Sequence, residues 1–326
     1  MPRSIPGYFA AAMAGSLFLS GCAQASNASS AAMASEQAQT PISVVTTTNV
    51  YGEIAKAIGG GKVQVTSIIS KTSQDPHSYE PTPQDKLALS KAGLAIGNGG
   101  GYDPFFDTIT KESGLSPDRI IHGFDVAELD GGGESPAHGD ANAAESDGHA
   151  HGEVNEHAWY NMAAASKIAQ EIAARLSVID PAGASGFVAN AEKFRAETTA
   201  ISVKLASIKS MHNGETVALT EPLPVYMLEE AGLENRTPED FLEAAEEGND
   251  VPAGALKETI DVVSSKSVVF LAYNDQTSTP QTETVRKAAE TATVPVVEFT
   301  ETLPEGKSFI QWMNDNADNI AAALRH

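Results

Sequence analysis

Imidazole and carboxylate side chains carry the chemistry of this sequence, and they gather in two places. Four of its eight histidines fall between His138 and His157, in a stretch otherwise made of Gly, Ala, Ser, Asp and Glu. Imidazole and carboxylate together bind divalent transition metals. A fifth histidine, His77 in Asp75-Pro76-His77-Ser78-Tyr79, stands at the end of a strand-like run, where Pro76 fixes the backbone and so the direction of the ring. One set could capture metal and the other hold it. His157, in Asn155-Glu156-His157-Ala158-Trp159-Tyr160-Asn161, differs from its loop neighbours because aromatics and a helix start follow it. Glu221 directly follows the strand-like Val217 to Thr220 and precedes Pro222. Asp275, in Tyr273-Asn274-Asp275-Gln276-Thr277, also follows a strand, where the plainer role is an Asx turn or a helix N-cap. His122, His212 and His326 show no convergent partners and receive no role.

The elements that must position these side chains alternate. Ile42 to Thr47 is β-branched and reads as a strand, and Val50 to Ile58 has helical spacing ended by Gly59-Gly60-Gly61. Val63 to Ile69, Leu94 to Gly97 and Ile120-Ile121 read as further strands, with a helix over Thr82 to Ala92. Such alternation predicts an α/β layer with a parallel sheet, whose ligands bind past the carboxyl ends of strands. Met162 to Leu176 reads as one helix, stopped near Asp180-Pro181, and Ala182 to Lys209 as a second, a rigid connector between lobes. The alternation then returns: a strand at Thr216 to Thr220, helices at Val225 to Ala231 and Pro238 to Glu246, strands at Ser267 to Tyr273 and Val294 to Phe299, and an amphipathic helix at Phe309 to Leu324. The expected organisation is a signal peptide at 1–21, a tether at 22–40, an N-terminal α/β lobe at 41–181 containing a His-rich loop at 130–156, a connecting helix at 182–210 and a C-terminal α/β lobe at 211–326.

With 326 residues, two domains of ordinary size can each bury a core. A formal net charge of −22 argues against nucleic acid, whose phosphates need clustered Lys and Arg, and suits cations. Near the N-terminus, Arg3 precedes the apolar run Tyr8 to Leu19, too short to span a bilayer and fitting the h-region of a signal peptide. It ends in Leu19-Ser20-Gly21-Cys22, and Cys22 is the only cysteine. This resembles a bacterial lipobox, which implies cleavage before Cys22, a lipid anchor on it and an extracytoplasmic position at the cell membrane.

The order of lipobox, Asp-Pro-His-Ser-Tyr-Glu-Pro-Thr-Pro at 75–83, His-rich loop, Asn-Glu-His-Ala-Trp at 155–159, long helix, Glu221 and Asp275 resembles the zinc and manganese substrate-binding lipoproteins of bacterial ABC transporters, the cluster A-I metal receptors. The resemblance covers nearly the whole mature chain. It implies two α/β lobes joined by a long helix, with metal in the interlobe cleft held by His77 and His157 from the first lobe and Glu221 and Asp275 from the second. It also implies a monomer that hands Zn2+ or Mn2+ to a permease driven by a separate ATPase; no Walker motif is present in this chain. The family's second motif usually reads Asn-Pro-His-x-Trp, whereas Glu156 stands here at the middle position. Two imidazoles with two carboxylates favour manganese or ferrous iron, while the His-rich loop, with His138, His149 and His151 as auxiliary ligands, favours zinc.

Two other classes compete. A surface zinc hydrolase would use Glu156 or Glu221 as base to a metal-bound water, but no His-Glu-x-x-His helix is present and four protein ligands leave little room for an open position. An adhesion or structural lipoprotein would resemble the same family in sequence. The long connecting helix predicts limited lobe movement.

Overall fold

The computed structural model describes residues 40–129 and 155–325. The expected signal peptide and tether with Cys22, and the loop histidines His138, His149 and His151, lie outside the described residues.

The first lobe opens with β1 (Ile42–Thr48), whose Val44 to Thr48 are all buried, as a strand covered on both faces requires. It leads directly into α1 (Asn49–Gly59), then β2 (Val63–Ile69), α2 (Pro83–Ser90), β3 (Leu94–Gly97), α3 (Phe105–Ser113), β4 (Ile120–His122) and the short α4 (Gly123–Ala127). α2 starts with a capping box between Thr82 and Asp85 and carries proline in its first turn, where a missing N–H costs nothing. The four strands pair in parallel in the order β2-β1-β3-β4, so the crevice past their carboxyl ends lies where the chain order reverses around β1 and β3.

Two long helices follow, α5 (Met162–Ile179) and α6 (Ala184–His212). The connector therefore runs two to three residues later than the sequence pattern suggests, because the turn closed by Gly183 N–H on the Asp180 carbonyl separates it from α5. With 29 residues it is about 44 Å long. It packs against α1 of the first lobe and the last helix of the second.

The second lobe repeats the plan: β5 (Thr216–Leu219), α7 (Val225–Glu230), β6 (Glu234–Asn235), α8 (Glu239–Glu246), α9 (Ala253–Ser264), β7 (Leu271–Asn274), α10 (Pro280–Ala292), β8 (Val296–Phe299) and α11 (Phe309–Ala323). Its strands are also parallel, in the order β6-β5-β7-β8. β7 and β8 are shorter than their apolar runs. β8 starts only after Pro295, which has no N–H for the ladder but lends its carbonyl to Leu271 N at 2.9 Å.

One continuous hydrophobic cluster runs through both lobes. It joins Val44, Ile54 and Ile96 to Phe187, Phe194 and Ile201 of α6 and on to Val217, Phe270, Phe309 and Trp312. Phe194 stacks on Phe309 with ring centroids 5.5 Å apart.

Candidate metal centre

His77 lies on the loop after β2. Asp75 folds that loop into an Asx turn, accepting His77 N–H at 2.9 Å and the Ser78 hydroxyl at 2.7 Å. The ring meets Tyr102 edge-on at 5.0 Å. Tyr102 is fully buried and is placed by Gly99-Gly100-Gly101, which all take positive φ (74°, 66° and 101°), a turn that side-chain-bearing residues resist. Before this turn, Asn98 donates its side-chain amide to the Glu156 carbonyl at 3.0 Å, while Asp103 accepts the N–H groups of Asn98 and Gly99 at 2.7 and 2.8 Å. The end of β3 thereby fixes the backbone of the second histidine segment.

His157 is fully buried between Tyr102 and Trp159. Its Nδ1 lies 2.8 Å from Asn155 Oδ1, and the same oxygen accepts its backbone N–H at 3.0 Å. The carboxamide can only accept there, so the ring proton sits on Nδ1 and the Nε2 lone pair is left free. Among the described residues Nε2 is buried without a partner. Burial and the nearby His77 both hold this imidazole well below its ordinary pKa, so it is neutral and ready to ligate. Burial likewise lowers His77, against the pull of Asp75.

Carboxylates surround the two rings. Glu156 Oε1 is 3.4 Å from His77 Nδ1, and Glu301 Oε2 is 4.0 Å from His77 Nε2. Both oxygens are buried and, among the described residues, have no hydrogen-bond partner. His77, Glu156 and His157 can offer three ligand atoms within 4.8 Å of one another, and so can Asp75, His77 and Glu301. Glu221, 3% exposed, stands immediately after Thr220 at the end of β5 and accepts from Asn274 Nδ2 and Thr277 Oγ1. Asn274 Nδ2 also donates to Glu301 Oε1 at 3.0 Å, so one amide holds two acids side by side. Glu246, at the end of α8, approaches the far side of His157 with Oε1 3.7 Å from Nδ1.

These acids cannot all be charged while the cleft is empty. Burial, then the repulsion of Glu246, Glu301 and Asp103, pushes Glu156 up to about 9. Burial and neighbouring acids push Glu246 up to about 8 and raise Glu221 well above the carboxylate range. Burial raises Glu301 to about 7, opposed by the Asn274 amide. A cluster of this kind is short of positive charge.

Of the four ligands expected from sequence, the structure brings His77, His157 and Glu221 to one cleft and leaves Asp275 outside it. Asp275 is 56% exposed at its side chain and lies 3.6 Å from Arg286 Nη1. Successive side chains at a strand end point to opposite sides, and at the end of β7 the inward one is Asn274. The acid that faces the histidines is Glu301, in Thr300-Glu301-Thr302 after β8, which the sequence reading missed. The rule that ligands follow strand ends, applied to Val296 to Phe299, points to it. His122 pairs with Asp107 at 2.9 Å and His212 with Glu215 at 3.0 Å, both away from the cleft.

Several bonds tie the cleft walls together. Gln276 Nε2 donates to the Gln74 carbonyl at 3.0 Å, while its Oε1 accepts from Thr302 N at 3.0 Å and from Glu301 N at 3.2 Å. Asn49 and Leu303 exchange two bonds, at 2.7 and 2.9 Å. Asn155 Nδ2 donates to the Pro222 carbonyl at 2.8 Å.

The family described as ZnuA, zinc-uptake complex component A, periplasmic, matches residues 44–323. The chain belongs to this family. Among curated relatives of this ZnuA-family chain, the metal ABC transporter substrate-binding lipoprotein ScbA of Streptococcus cristatus is 29% identical over 181 residues, 53% of each chain. The manganese ABC transporter substrate-binding lipoprotein PsaA of Streptococcus mitis is 30% identical over 148 residues, 43% of this chain and 42% of that one. The match thus spans about half the length of these relatives. A solved ZnuA structure superposes with a TM-score of 0.63 at 20% identity, covering 88% of this ZnuA-family chain and 98% of the other. FpvC from Pseudomonas aeruginosa, in complex with Mn2+, gives 0.67 at 20% identity, covering 88% and 99%. These likenesses establish the two-lobe fold with its long linking helix.

Proposed function

We propose that this protein is the extracytoplasmic substrate-binding component of a metal ABC transporter, taking a divalent transition ion, Zn2+ or Mn2+, into the interlobe cleft for delivery to a permease and its ATPase. One observation carries the reading: three buried ligand atoms, Glu156 Oε1, His157 Nε2 and Glu301 Oε2, have no hydrogen-bond partner among the described residues, and His77 stands beside two of the acids. Leaving such groups unpaired costs about 1–3 kcal/mol each, more for charged ones, and a divalent cation bound beside His77 would relieve that cost.

The ligand set we assign is His77 and His157 from the first lobe with Glu221 and Glu301 from the second. It departs from the expected set by replacing Asp275 with Glu301. Nitrogen and oxygen donors of this kind suit zinc, manganese and ferrous iron. The ion is cargo, and a cleft that supplies four protein donors leaves no open position for an activated water, which favours binding over catalysis. The names of the relatives support the transport role and a lipid anchor, for which Cys22 is the only cysteine available. Among the described residues no helix is long and apolar enough to cross a membrane.

Elemental analysis of the full chain purified from metal-replete medium tests the reading, beside a His77→Ala and His157→Ala double variant. One equivalent of zinc or manganese, lost in the double variant, is the expected outcome. No metal in the wild type, or metal retained in the variant, overturns it.

A further inference from the structure

Glu156 occupies a place where the resembling family usually carries proline. Among the described residues its side chain forms no hydrogen bond through Oε1, and the charged groups that bear on it most are the acids Glu246, Glu301 and Asp103. It is nonetheless 9% exposed and held firmly in place. Its carbonyl accepts Asn98 Nδ2 at 3.0 Å and Ala158 N at 2.7 Å, and the preceding Asn155 is pinned to Pro222. The free oxygen lies 3.4 Å from His77 Nδ1 and shares a ligand-sized space with His77 and His157.

Resting on the metal-receptor reading above, we propose that Glu156 is a fifth protein ligand in the cleft and sets its ion preference, favouring ions that accept five or six mostly oxygen donors, such as Mn2+ or Fe2+, over four-coordinate Zn2+. Two imidazoles and two carboxylates complete a tetrahedral shell and would serve zinc fully. A third carboxylate, buried beside both imidazoles, adds nothing to a tetrahedral ion, yet would supply a hard donor to one that prefers a larger shell. Zinc outcompetes manganese at most sites on intrinsic affinity, so an added oxygen ligand narrows a gap that geometry alone has to close.

The test compares the full-length wild type with Glu156→Gln, which keeps the side chain's shape, and with Glu156→Ala, each first checked for native folding by circular dichroism. Mn2+ and Zn2+ affinities are measured separately by chelator competition, and Mn2+ coordination by X-ray absorption. The expected result is an oxygen-rich shell of five or six donors in the wild type. In both variants Mn2+ affinity falls about tenfold or more while Zn2+ affinity moves less than about threefold. Unchanged Mn2+ affinity, or an equal loss for both ions, overturns the role of Glu156. A wild type that takes up neither ion instead overturns the receptor reading beneath it.

Discussion

Loading the cleft with a divalent ion should displace about two protons near pH 7, because the acids that would bind metal are held protonated when it is empty. Glu156 at about 9 keeps a proton at that pH, Glu301 at about 7 is half protonated, and burial raises Glu221 in the same direction. His77 and His157 are lowered and contribute none. Each displaced proton changes log Kd by about one per pH unit, so two protons tighten binding by about 10⁴-fold between pH 6 and 8, or roughly 5–6 kcal/mol. Titration calorimetry at pH 7 in buffers of different ionisation enthalpy counts the protons directly. A count near zero, with Kd flat from pH 6 to 8, would refute the argument that these acids are both protonated and ligating. The same linkage acts on folding with a definite sign. A carboxyl whose folded pKa lies above its unfolded 4.5 contributes stability at low pH and loses it as pH rises through the folded value. The lowered histidines act oppositely, but only below their unfolded 6.5. Thermal melts in chelator should therefore fall from about pH 6.5 to about pH 9.

Glu301→Ala is expected to weaken metal binding by at least about tenfold, whereas Asp275→Ala leaves it within about twofold because Asp275 faces solvent beside Arg286; chelator competition on the pair decides which acid ligates. Gln276→Met cuts the link from the Gln74 carbonyl to the Glu301 turn, and the loss of about 1 kcal/mol should speed metal release about fivefold in stopped-flow chelation. Phe194→Ala removes the ring stacked on Phe309 and should cost about 3–5 kcal/mol in denaturant unfolding, with metal stoichiometry unchanged.

Much of this architecture is legible in the sequence, for reasons that differ by residue. His77 and His157 stand out because Pro76 and the Trp159-Tyr160 pair mark them as rigid, and both lie in the cleft. Glu221 follows its strand without ambiguity, since Pro222 ends the element at once. The end of β7 is harder: Asn274 and Asp275 are adjacent, and reading for an acid selects the residue that the pleat turns outward. Glu301 escaped because Thr300 separates it from a strand recognised only by its apolar run. The triple glycine before Tyr102 carries no ligand, so its part in seating His77 emerges only from the backbone. The parallel order of each sheet followed from alternation, while the two-residue β6 and the helices α3, α9 and α10 do not stand out by apolar pattern alone.

A single apolar core runs through both lobes along α6, and this limits how a bound ion could show itself at the surface. Parting the lobes as rigid halves would expose Phe194, Phe309 and Trp312 to water and break the reciprocal pair between Asn49 and Leu303. Molecules with and without a bound ion are then expected to share nearly the same outline. Whatever distinguishes them would then be written in the rim: the turn holding His77, the segment around Asn155, and the strap made by Gln276. A transporter docking on this surface would be reading local texture rather than overall shape.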